Sequence, residues 1–131
     1  MYQSIQGNMG LGKAINYFTS HGYPVALPLN DTQKYDLAID KDNKLQRVSV
    51  KTTQGLNKTK TYYEVQLKNS GGSSGKSSVR KFDNTSCDIV FIVTITGIMY
   101  EIPSSEINTV STLTLTPQWD KYIVNLDWDS E

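Results

Sequence analysis

Residues Lys34 to Gln54, KYDLAIDKDNKLQRVSVKTTQ, constrain the fold more than any other stretch, because they read as two strands closed by a tight turn. Tyr35, Leu37 and Ile39 alternate with Asp36, Ala38 and Asp40, while Val48 and Val50 alternate with Arg47, Ser49 and Lys51. Alternation at period two gives each segment an apolar and a polar face. Asp42-Asn43 supplies the turn, since both residue types tolerate the left-handed backbone of a short hairpin loop. With Lys41 paired to Lys44, Asp36 falls opposite Ser49 and one diagonal step from Lys51 on the polar face. Opposed Cβ atoms stand ~5 Å apart and diagonal ones ~7 to 8 Å, so the three side chains can reach one small ligand. A slip of one residue would set Asp36 across from a valine and disperse them.

Two readings of this cluster stand side by side. A carboxylate can hold Mg²⁺ through one or two oxygen contacts while water and a substrate phosphate complete the octahedron. A nearby lysine can then orient an attacking water and offset charge on phosphorus, which suits phosphodiester hydrolysis. Alternatively Asp36 and Lys51 form a surface salt bridge, worth about 0 to 1 kcal/mol.

The rest of the chain supplies the frame. Asn8 to His21 reads as a helix, with Asn8 as N-cap, Leu11, Ala14, Ile15 and Phe18 at helical spacing, Lys13 on the opposite side and Gly22 as the stop. His21 is the single histidine, so it has no partner for a histidine-pair metal site and is expected to sit at the helix end. Tyr23 to Leu29 is apolar between two prolines and is expected to be a short edge strand. Gly55 to Lys60 forms a lysine-bearing loop, and Thr61 to Lys68 alternates again, giving a third meander strand with Tyr63, Val65 and Leu67 on one face.

Asn69 to Ser78, NSGGSSGKSS, is the expected flexible loop. Its Gly75-Lys76-Ser77 fails as a phosphate-binding P-loop, because Ser70 stands where the first glycine is required and Val79-Arg80-Lys81-Phe82 opens no amphipathic helix. Lys76, Arg80 and Lys81, with Lys13, are candidate contacts to a DNA backbone. Cys87 to Thr96 is almost continuously apolar, as expected of a strand covered on both faces at the centre of the sheet. Met99 to Ile102 follows as a strand ended by Pro103, Ser104-Ser105-Glu106 as a short helical turn, and Lys121 to Leu126 as a last strand. The acidic tail from Asp127 with Trp128 is expected to fray or to dock through its indole.

At 131 residues and 37% hydrophobic, the chain fits one compact domain, 1–131. Thirteen basic residues balance thirteen acidic ones, so no global basic field exists and any DNA-binding surface has to be a local patch. Cys87 alone excludes an internal disulfide framework and a cysteine-rich zinc site, which suits a reducing cytoplasm. No apolar run approaches the ~20 residues of a membrane span, and no signal-peptide pattern opens the chain.

The order of these segments resembles the PD-(D/E)XK nuclease superfamily: a helix, a strand with proline, YDLAID, a turn, RVSVKTT, then KFDNTSCDIVFIV and YEIPSSEI. More narrowly it resembles the intron-associated homing endonucleases and related phage enzymes, from about Asn8 to Ile107. The resemblance implies an α/β (α+β) restriction-endonuclease-like core, with a mixed central sheet and an N-terminal helix packed on it. It implies a Mg²⁺-dependent DNA endonuclease of homing-endonuclease or resolvase type, with Mn²⁺ as a substitute ion, acting on double-stranded DNA as a homo-oligomer in a bacterial or phage-infected cytoplasm. Position by position, Asp36 matches the metal-binding aspartate and Lys51 the motif lysine. The second acidic or glutamine position of the motif is Ser49, a neutral and weaker ligand offering a hydroxyl or a water-mediated contact. The first helix carries no carboxylate, whereas the family often has a glutamate there. The competing expectation is a catalytically impaired protein on the same fold that binds DNA or inhibits a host nuclease system.

Overall fold

The computed structural model describes residues 2–30, 34–53, 55–70 and 79–126. Helix α1 (Tyr2–Ser20) begins six residues before Asn8, the expected cap. In the added turns Ile5 is exposed, and Gln6 Nε2 donates to the Thr53 carbonyl at 3.4 Å. The C-terminus ends as expected. Gly22 adopts φ +86, its N–H donates to Thr19 O at 3.0 Å, and the Tyr23 N–H reaches back to Phe18 O at 2.9 Å. That pair of bonds is a Schellman cap, which needs the left-handed residue that glycine supplies without strain.

Six strands form the main sheet: β1 (Val25–Ala26), β2 (Leu37–Lys41), β3 (Lys44–Thr52), β8 (Ile89–Val93), β9 (Met99–Pro103) and β11 (Ile123–Val124), in the order β1-β2-β3-β8-β9-β11. The hairpin forms in the expected register, Lys41 against Lys44 and Leu37 against Val48. Asp42 and Asn43 both take positive φ, 56° and 62°, as a type I′ turn demands. β8 is buried along its whole length and pairs parallel with β3 and antiparallel with β9, so CDIVFIVTIT does supply the centre. The segment Tyr23 to Leu29 contributes only two paired residues, because Pro24 and Pro28 have no N–H to donate. Lys121 to Leu126 likewise pairs only through β11, after a 3-10 turn over Pro117–Tyr122.

The expected third meander strand is placed elsewhere. β5 (Tyr63–Gln66) joins β4 (Gly55–Leu56) and β10 (Thr112–Thr114) in a separate sheet of order β10-β5-β4, and β6 (Asn69–Ser70) pairs with β7 (Val79–Arg80). The β3 edge that a meander strand would need is taken by β8 in parallel, and a parallel neighbour requires a long crossover. β4, β5, β6 and β7 lie in that crossover, and β10 joins β5 from beyond β9.

Two cores flank the main sheet. Ala14, Tyr17 and Phe18 of α1 pack on Leu37, Ile39, Val48, Phe91 and Val93. On the other face Val65 of β5 and Leu67 just after it pack with Val90, Ile92, Ile102, Leu113 and Trp119. Tyr35 belongs to this second cluster instead of joining Leu37 and Ile39 as the alternation predicted. The strand has not yet entered the ladder there: the Asp36 N–H bonds to Val48 O at 2.8 Å, one residue out of register. No described helix is long and apolar enough to cross a membrane.

Candidate active site

Val48 and Val50 of β3 face α1, so Ser49 and Lys51 belong to the alternate face, beside Val90 and Ile92 of β8. Helix α1 therefore lies across the sheet from Ser49 and Lys51. Gly10 shows how closely α1 packs there: a Cβ at that position would stand 2.7 Å from Thr52 Cγ2.

Asp36 sits in the bend just before β2 and its carboxylate continues the hairpin where the main chain leaves it. Asp36 Oδ2 accepts the Val50 N–H at 2.7 Å. This is the peptide between Ser49 and Val50, so the side chain reaches the site from across the ladder. Although part of the residue's surface meets solvent, the loss of water around the carboxyl raises its pKa above the ordinary aspartate value, against the lowering effects of the Val50 N–H and the Lys51 charge. Lys51 moves in the opposite sense: burial lowers its pKa, opposed by the charges of Asp36 and Cys87. Each charge thus favours the ionised form of the other, against the effect of burial.

Ser49 is buried, and its N–H is directed at the Cys87 thiol, whose own pKa is raised mainly by burial. Ser104 is buried beneath the same strand end, its hydroxyl donating to the carbonyls of Asn84, at 3.0 Å, and Cys87. Next along β3, the Arg47 N–H and Nε donate to Asp88 Oδ2 at 2.8 and 3.3 Å, while Nη2 donates to Thr85 O at 3.2 Å. That clamp fixes β3 against the start of β8. Neither Cys87 nor Asp88 was expected at the site; a cysteine and an aspartate opening the apolar run CDIVFIV were the available signal.

The other candidates are dispersed. Lys13 is exposed on α1, on the helix side of the sheet, and Lys81 is exposed just after β7. Arg80 lies in β7 opposite Asn69. Lys76 lies outside the described residues, as do the 71–78 portion of the expected flexible loop and the tail with Trp128. His21 follows the helix, with Nε2 3.1 Å from Asn125 O and its ring 4.4 Å from that of Tyr17.

Among the described residues, no three His, Cys, Asp or Glu side chains converge to hold a metal ion. Asp40 is exposed at the far end of β2, and Glu64 lies on the face of β5 opposite Val65, where its Oε2 accepts the Thr114 hydroxyl at 3.4 Å. The donor set is one carboxylate, with one oxygen engaged by Val50 and the other available. It fits a hydrated hard cation that keeps most of its waters and draws further oxygens from a substrate phosphate.

A family model described as PD-(D/E)XK endonuclease matches residues 1–121. Among solved structures, that of a bacterial homing endonuclease, I-Ssp6803I, is similar with a TM-score of 0.75 and 20% identity, covering 92% of this chain and 87% of the other. That similarity concerns the fold, a mixed sheet with an N-terminal helix packed on it. No curated protein matches by sequence.

Proposed function

Since the chain belongs to the PD-(D/E)XK endonuclease family, we propose that it is a divalent-metal-dependent endonuclease that hydrolyses phosphodiester bonds of double-stranded DNA, with Asp36, Ser49 and Lys51 as its site. One observation carries the reading: the Asp36 carboxylate reaches from the bend before β2 to the Val50 N–H on β3, next to Lys51 in the chain, and the charges of Asp36 and Lys51 act on each other's ionisation. An acid and an amine whose ionisation is shifted by burial and which act on each other's charge suit such chemistry.

In this reading Asp36 holds the cation through the oxygen that Val50 leaves available, and the Val50 N–H fixes the carboxylate plane. A bound Mg²⁺ or Mn²⁺ supplies Lewis-acid stabilisation of charge on the phosphate and a more acidic water. Lys51, its pKa lowered by burial, would orient an attacking water and donate hydrogen bonds toward the scissile group at little reorganisation cost. Ser49 holds the strand between them and contributes its hydroxyl through water. Lys13, Lys76, Arg80 and Lys81 are the proposed backbone contacts, and a homo-oligomer places two such sites on two strands.

A second reading rests on the sparse donor set. With serine at the acidic motif position and no convergent third ligand among the described residues, a protein on this fold could bind DNA, or inhibit a host nuclease system, without cutting. Incubation of plasmid DNA with Mg²⁺ or Mn²⁺ separates the two. Nicking by the wild type and its loss in Lys51→Ala, with DNA binding kept by both, supports the nuclease; two equally inert proteins that both bind DNA establish the binding reading.

A further inference from the structure

The neutral total charge conceals a strong asymmetry. Residues 44–81 hold nine of the thirteen cations and, of thirteen acidic residues, only Glu64. The tip of this basic segment is the turn that joins β4 to β5, and it is unusually well ordered by its own side chains. Asn57 Oδ1 accepts the Thr61 N–H at 2.9 Å, the Tyr62 N–H at 3.2 Å and the Thr59 hydroxyl at 3.2 Å. The Lys60 N–H donates to Asn57 O at 2.8 Å, the Asn57 N–H to Tyr62 O at 2.8 Å, and the Thr59 and Thr61 hydroxyls lie 2.9 Å apart.

Within that frame Lys60 takes φ +55, a conformation in which a side-chain-bearing residue is strained and glycine would be relaxed. Lys58 and Lys60 are both exposed, and neither takes part in the ion pairs found among the described residues, Lys41 with Glu101 and Arg47 with Asp88. A lysine kept at a strained, exposed tip beside a second unpaired lysine, with the nearest strand carboxylate of Glu64 turned toward Thr114, does not serve the fold.

From these observations we infer that the Asn57–Tyr62 turn is a duplex-gripping element whose Lys58 and Lys60 ammonium groups bind phosphates of the DNA substrate; this rests on the DNA-endonuclease reading above. Its position suits the role. The turn follows β4, the next strand after β3, and Lys58 is seven residues beyond Lys51. At ~3.3 Å per extended residue their Cα atoms are at most about 23 Å apart, roughly the length of seven base pairs, so one duplex can meet both. Because the turn is already ordered, little entropy is lost when it meets the backbone.

The test is the salt dependence of duplex binding, followed by fluorescence anisotropy in EDTA so that cleavage does not intervene. Each phosphate contact contributes about 0.9 to the slope of log K against log salt, so Lys58→Ala/Lys60→Gly is expected to lower the slope by about 2. Glycine keeps the left-handed turn, and a melting curve matching the wild type verifies the fold. Lys58→Arg/Lys60→Arg should restore the slope, and Lys121→Ala, outside the basic segment, should leave it unchanged. A double variant with the wild-type slope overturns the inference while the endonuclease reading stands, as does an equal loss in Lys121→Ala. Wild-type protein with no salt-dependent duplex binding overturns both.

Discussion

The Asp36 carboxylate accepts the Val50 N–H, so Asp36→Asn separates its hydrogen bond from its charge. Asparagine keeps an acceptor for that N–H and removes the anion that would hold a cation. Cleavage should fall on the order of 100-fold or more, with the hairpin intact. Stability should respond in the opposite direction. A carboxyl whose pKa is raised by folding costs stability when ionised; the cost is full above its folded pKa and vanishes below the ordinary aspartate value. In EDTA, Asp36→Asn should therefore unfold at higher urea than wild type near neutrality, and the gap should close as pH falls; a gap that widens in acid would refute it. Asp88 has the reverse sign. Burial raises its pKa, but the Arg47 N–H, guanidinium and charge more than compensate and hold it below the ordinary range. Its contribution is present above the ordinary aspartate pKa and lost as pH falls through the folded value. Asp88→Asn should weaken the protein at neutral pH and flatten the acid limb of its stability profile, as read by urea midpoints from pH 7 to 3.

Between α1 and β3 the contact is made through a glycine, and that closeness sets what the helix can carry. Gly10→Ala places a methyl 2.7 Å from Thr52 Cγ2, a distance that forces a shift. Overpacking of this kind costs about 1 to 3 kcal/mol. Thr52→Ser removes the opposing methyl, so the double variant should recover most of the loss, a coupling measured by a double-mutant cycle in urea. At the other end of β3, Asn43 occupies a left-handed position at φ 62°. Asn43→Gly should raise stability by roughly 0.5 to 1 kcal/mol, because the turn then suits its residue fully. A loss instead would show that the asparagine makes contacts beyond its backbone conformation.

For the molecule as a whole, β8 and β9 contribute to both cores, so neither core can unfold without exposing the other. Phe91 touches the rings of Tyr17 and Phe18 at 5.3 Å on the helix side, while its neighbours Val90 and Ile92 face Trp119's cluster. Phe91→Ala should cost about 3 to 5 kcal/mol. Tryptophan fluorescence and far-ultraviolet circular dichroism should still report one coincident transition; separated transitions would mean that the two faces are independent. Much of this architecture is local in origin and was legible in the residues. The period-two hairpin, its Asp42-Asn43 turn, the Gly22 helix stop and the buried IVFIV strand each follow from backbone preference or from which faces meet water. Asp36 and Lys51 were picked out because register is a local property of a hairpin with a two-residue loop. What only the tertiary structure decided are the relations that link distant segments: β8 beside β3 in parallel, the helix on the face away from Lys51, the small sheet over the second core, and Cys87 beneath Ser49. Those depend on which surfaces bury one another across the chain, and hydrophobic burial has no direction for a sequence pattern to record.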